Sequence, residues 1–93
     1  MPKVFQIAYT TELMFTREEV LKSRGYVVES VLGNAAAKRV LESGPDYDLF
    51  IVGHTASQET RQEMAHWVRE KFPRAKVLAL DPPFHPAPAV SGS

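Results

Sequence analysis

The chain has 93 residues, 44% of them hydrophobic, which suits one folded domain near the lower end of size for a single core. Eleven basic and eleven acidic residues leave no formal net charge and are interspersed, so no nucleic-acid partner is expected. There is no cysteine, which excludes disulfides, thiolate metal sites and a cysteine nucleophile. The opening Met1-Pro2-Lys3-Val4-Phe5-Gln6 has no signal-peptide pattern, and no apolar run is long enough to cross a membrane, so the cytoplasm is the expected location.

Val4 to Tyr9 is a short, mostly apolar run that predicts a strand buried on both faces. Thr10 and Thr11 then offer caps for a first helix, with Leu13, Met14, Val20 and Leu21 on its inner face and Arg17 and Lys22 facing water. Thr16-Arg17-Glu18-Glu19 also matches a capping box, which would start the helix later; the earlier start is preferred. Gly25 ends this helix. Tyr26 to Leu32 alternates like a half-exposed edge strand, and Gly33-Asn34 follows, with Asn34 expected as the cap of a second helix.

That second helix, Ala35 to Glu42, is expected to bury Ala37, Val40 and Leu41, and Gly44-Pro45 stops it. Leu49 to Val52 is the next buried strand. Thr55 or Ser57 caps a third helix that buries Met64, Ala65, Val68 and Phe72, with Trp67 on its flank; Pro73 ends it. Lys76 to Leu80 is a last strand, and the cluster Arg69, Lys71, Arg74 and Lys76, broken by Glu70, reads as a solvated helix end. Strand-helix alternation of this kind predicts an α/β fold: a three-layer arrangement with a four-stranded parallel sheet, right-handed crossovers and three flanking helices. Residues 82–93 hold four of the seven prolines and form a separate proline-rich tail, neither helix nor central strand.

Several segments resemble a response-regulator receiver domain. Val4-Phe5-Gln6-Ile7 is similar to its first strand, and Glu18 to Val28 to its first helix running into the second strand. Ala36 to Leu41 resembles its second helix, and Pro45 to Val52 the approach to the phosphate-accepting residue. The likeness covers about residues 3 to 81 and implies a flavodoxin-like sheet of strand order 2-1-3-4, residues 1–81 forming the domain. It also implies a bacterial-type two-component signalling context.

The family's chemistry is not carried by these residues. Where it has an acidic pair after the first strand, Ala8 and Tyr9 stand here, and Gly53 takes the place of the phosphoacceptor aspartate. Leu80-Asp81 replaces the small hydroxyl residue of the fourth strand, and the chain stops where the family continues through a further helix, a lysine-bearing strand and a last helix. The resemblance therefore implies a truncated pseudo-receiver that is not an enzyme, with no cofactor and no aspartyl phosphorylation. In strand order 2-1-3-4 the fourth strand is an edge, so Val77, Leu78 and Leu80, together with Phe84 of the tail, are the candidate interface for a protein partner or a second copy of the chain.

A rival reading is a small-ligand or metal-binding enzyme. The strand-end rim, where open parallel sheets bind ligands, offers Glu12, His54 and Asp81, two carboxylates and an imidazole. Loop hydrogen bonding by His54 and turn capping by Asp81 explain the same residues more simply. His66 and His85 add no zinc signature. Asp48 to Thr55 also resembles a strand of universal stress proteins, but no glycine lies between Gly53 and Gly92 to form their phosphate loop.

Overall fold

In the computed structural model, residues 2–43 and 46–80 are described. Along the chain come β1 (Lys3–Ala8), α1 (Thr11–Ser23), β2 (Val27–Leu32), α2 (Asn34–Leu41), β3 (Leu49–Val52), α3 (Gln58–Lys71) and β4 (Lys76–Ala79). The strands form one sheet of order β2-β1-β3-β4 with every pairing parallel, as the sequence predicts. Asp81, Phe84 and the 82–93 tail lie outside the described residues, as does the Gly44-Pro45 stop.

Alternation along β1 divides the molecule into two layers of core. Phe5 and Ile7 join Ala37, Leu41, Phe50, Val52, Met64, Ala65 and Val68 in a buried cluster beneath α2 and α3. Val4, Gln6 and Ala8, equally buried, take the opposite face, which α1 covers along β1 and β2. The first face is rich in aromatic packing: Phe50 stacks on Phe72 at 5.0 Å between ring centroids, and Phe5 meets Tyr47 at 4.9 Å.

The helix starts show which local signals act. Helix α1 begins at Thr11 after Thr10, so the earlier start is correct; Thr16 sits inside the helix and its hydroxyl donates to the Glu12 carbonyl at 2.9 Å. At its other end Gly25 has φ of 91°, and the Tyr26 amide reaches back to the Leu21 carbonyl at 3.2 Å, closing the helix as a left-handed glycine does. Helix α3 is capped by Ser57, whose Oγ accepts from the Thr60 amide at 3.2 Å.

Three expectations are corrected. Asn34 is the first residue of α2 rather than its cap; Gly33, at φ 87°, occupies the cap position, and the Asn34 side chain is engaged elsewhere. Arg17 does not face water but is half-buried against the sheet, with Nη1 donating to Gln6 Oε1 at 3.3 Å. Val20, expected on the inner face of α1, is 52% exposed, because α1 lies over β2 and β1 and leaves that flank without a covering element among the described residues.

Candidate functional site at the strand-end rim and the β4 side

The carboxyl ends of β1 and β3 lie side by side, with Ile7 paired to Val52 and the Gly53 amide donating to the Ile7 carbonyl at 2.8 Å. Gly53 is buried, and its lack of a side chain is a matter of space rather than backbone angle. A Cβ there would stand 3.2 Å from Arg17 Nη1, 3.2 Å from the Ile7 carbonyl oxygen and 3.5 Å from Tyr9 Cδ2. The place where a side chain of residue 53 would project is thus taken by an arginine, a strand carbonyl and a tyrosine ring.

Those neighbours are themselves held. Gln6, fully buried in the middle of β1, accepts from Arg17 and donates through Nε2 to Ser30 Oγ at 2.9 Å and to the Met14 carbonyl at 3.2 Å. Burial lowers the pKa of the Arg17 guanidinium, which nevertheless stays the cation of this cluster. The Tyr9 hydroxyl donates to Asn34 Oδ1 at 2.7 Å, and Asn34 Nδ2 donates to the Thr60 carbonyl at 3.0 Å, tying β1, α2 and α3 together. Burial pushes the Tyr9 phenol up to about 12; Arg61 opposes that rise and Glu63 adds to it. The rim is a closed polar lattice, and no buried side-chain nitrogen or oxygen among the described residues lacks a partner.

Ala8 is fully buried and Tyr9 half-buried, so both residues at the end of β1 serve packing and the lattice. Glu12 is exposed in the first turn of α1, and His54 is half-buried in the loop after β3. Asp81 lies outside the described residues, and among those described no three His, Asp or Glu side chains gather as a metal site. His66 is on the surface, 3.4 Å from Glu70.

The β4 side has a different character. Val77 packs against the buried cluster on the α3 face. Leu78, on the other face, is 49% exposed, and Leu80 is half-buried beside Thr16, Arg17, Val20, Leu21 and Ile51. The Lys76 and Leu80 amides donate to the Asp48 and Val52 carbonyls, so the alternate amides, those of Val77 and Ala79, point away from β3 toward the open edge.

No protein-family model and no curated protein matches this sequence. Among solved structures, the chain superposes on one from the crystal structure of the histidine kinase ThkA in complex with the response regulator protein TrrA. The TM-score is 0.77 at 23% identity, over 94% of this chain and 74% of that one. The fold is flavodoxin-like. At that identity the likeness establishes the architecture, in agreement with the strand order and the helices on both faces. Among the described residues no helix is long and apolar enough to cross a membrane.

Sequence reasoning missed Arg17 and Gln6. The signal available was Gln6 itself, a polar residue inside an otherwise apolar strand, which needs partners from elements lying over it.

Proposed function

We propose that this chain is a receiver-like protein-interaction module of two-component signalling, which accepts no phosphoryl group and assembles through the outer edge of β4. The observation that carries the reading is the occupied space at Gly53. Aspartyl phosphorylation needs a carboxylate nucleophile at that position and acidic groups beside it to hold magnesium; Gly53, Ala8 and Tyr9 supply neither, and Arg17 fills the space. A module without that chemistry acts by binding, and the module is not an enzyme. The structural neighbour comes from a kinase–regulator complex, which supports a protein as partner.

The edge supplies the means. Val77 and Ala79 offer outward amides on a short strand whose neighbour Leu78 is exposed, and such an edge pairs with another strand, here that of a second copy. Intact-mass measurement after incubation with acetyl phosphate and magnesium should show no phosphoryl adduct. Light scattering over a wide concentration range should show a mass that rises toward a dimer. Ala79→Pro removes one outward amide without touching the β3 pairing, and should hold the chain as a monomer. A phosphoryl adduct overturns the first half of the reading, and a mass independent of concentration overturns the second.

A further inference from the structure

The sheet has a second open edge, β2. There the Val27 amide donates to the Pro2 carbonyl at 3.1 Å and the Gly33 amide to the Ala8 carbonyl at 2.8 Å. The alternate amides, those of Val28, Ser30 and Leu32, therefore point outward. Strand β4 has two such amides, on Val77 and Ala79. Val27 is 48% exposed and Leu32 43%, close to the 49% of Leu78 on β4. By backbone and apolar exposure β2 is at least as adhesive as β4, and two adhesive edges would join copies without end.

The side chains at mid-strand differ. Glu29 is the charged residue of β2, and the register sets it beside Phe5, on the face served by α2 and α3, between Val27 and Val31. It is exposed, and among the described residues its carboxylate enters no ion pair. A two-fold axis normal to the sheet brings an edge strand antiparallel to its own copy with like faces together. Centred on Leu78, that operation sets the two Leu78 side chains against each other and pairs Val77 with Ala79. Centred on Glu29, it sets carboxylate against carboxylate. Centred on Ser30, it sets each Glu29 against Val31. Against the β4 edge of another copy, Glu29 would share a face with Val77 and Ala79, which offer no counter-charge.

We propose that Glu29 guards the β2 edge, so that assembly through β4 closes at two copies instead of running on. Every in-register pairing of β2 either opposes two carboxylates or covers one with apolar side chains, and both are unfavourable. The inference rests on the interaction-module reading and names the residue that limits it.

The test is light scattering of the full chain and its variants over a wide concentration range. Glu29→Val should let the mass climb past the dimer, through alternating β4 and β2 contacts. Glu29→Lys should behave as the parent chain, because the edge is guarded by charge of either sign. Adding Val28→Pro to Glu29→Val removes one outward amide of β2 without touching the β1 ladder, and should return the mass to the dimer. Adding Ala79→Pro to Glu29→Val instead should leave a dimer joined through β2 alone. Residue 29 is exposed, so the unfolding midpoint of Glu29→Val should stay close to that of the parent chain. A Glu29→Val chain that keeps the parent mass overturns the proposal. Growth of Glu29→Lys beyond the dimer, or growth that survives Val28→Pro, overturns it too. These outcomes leave the β4 reading standing. A parent chain that stays monomeric overturns the β4 reading; the guarding role then stands if Glu29→Val dimerises and falls if it stays monomeric.

Discussion

Arg17 and Gly53 compete for one space: a Cβ on residue 53 would lie 3.2 Å from Arg17 Nη1. The same Cβ would lie equally near the Ile7 carbonyl, which belongs to the central strand and accepts the Gly53 amide. The arginine tip can swing aside, but the strand carbonyl cannot. Gly53→Ala should therefore cost about 1–2 kcal/mol, read as a lower midpoint in urea unfolding with an unchanged slope. An unaltered midpoint would mean that β1 and β3 separate more freely than their ladder indicates.

Gln6 anchors the face beneath α1. Replacing it by leucine keeps the volume but leaves the Ser30 hydroxyl and the Arg17 guanidinium without their partner, which should cost about 1–3 kcal/mol. Combining Gln6→Leu with Arg17→Met should recover part of that loss, because the buried charge is removed with its acceptor. Chemical denaturation of the two single variants and the double variant measures the coupling directly.

Tyr9 gives the fold an alkaline limit. Its folded pKa, about 12, lies above the value of about 10 for an unfolded tyrosine, so the native state holds the proton more tightly. The stabilisation from this group is complete below about pH 10 and is lost as pH rises from about 10 to about 12. Tyr9→Phe should flatten the stability profile in that window. At neutral pH the same change should cost about 1 kcal/mol, the hydrogen bond to Asn34. A pH series of unfolding midpoints for both chains checks both statements.

Ser57 holds the start of α3, the helix that contributes Met64, Ala65 and Val68 to the core. Ser57→Ala leaves the Thr60 amide without its acceptor and should cost about 1 kcal/mol. Thr55→Ala should cost much less, since Ser57 and not Thr55 makes the cap. Thermal unfolding of the two variants side by side separates them.

Much of the architecture was legible in the residues. Apolar runs at Val4–Ile7 and Leu49–Val52, glycine at position 25 and proline at position 73 mark elements through local sterics and burial, and strand-helix alternation then leaves a parallel sheet as the way to bury those runs. Local pattern also located the edge character of β2, where exposed Val27, Glu29 and Leu32 are interspersed with partly buried Val28, Ser30 and Val31. What the residues alone determined was thus the sequence of elements, the helical layers, and the absence of acidic groups at positions 8, 9 and 53.

Only the tertiary structure decided where long side chains go. Arg17 has Leu13, Met14, Val20 and Leu21 three and four residues away, whereas Lys22 has Glu18 and Glu19, so helical spacing sets Arg17 beside the apolar face but does not say what its guanidinium meets there. Its burial follows from the way α1 lies across the sheet, which brings the guanidinium over Gln6 and beside Gly53. Asn34 likewise has the composition of a cap, yet contact with Tyr9 and Thr60 draws its side chain away from its own helix. Which strands α1 covers, β2 and β1, is decided the same way, because helix placement over a sheet depends on crossing geometry and not on any local pattern.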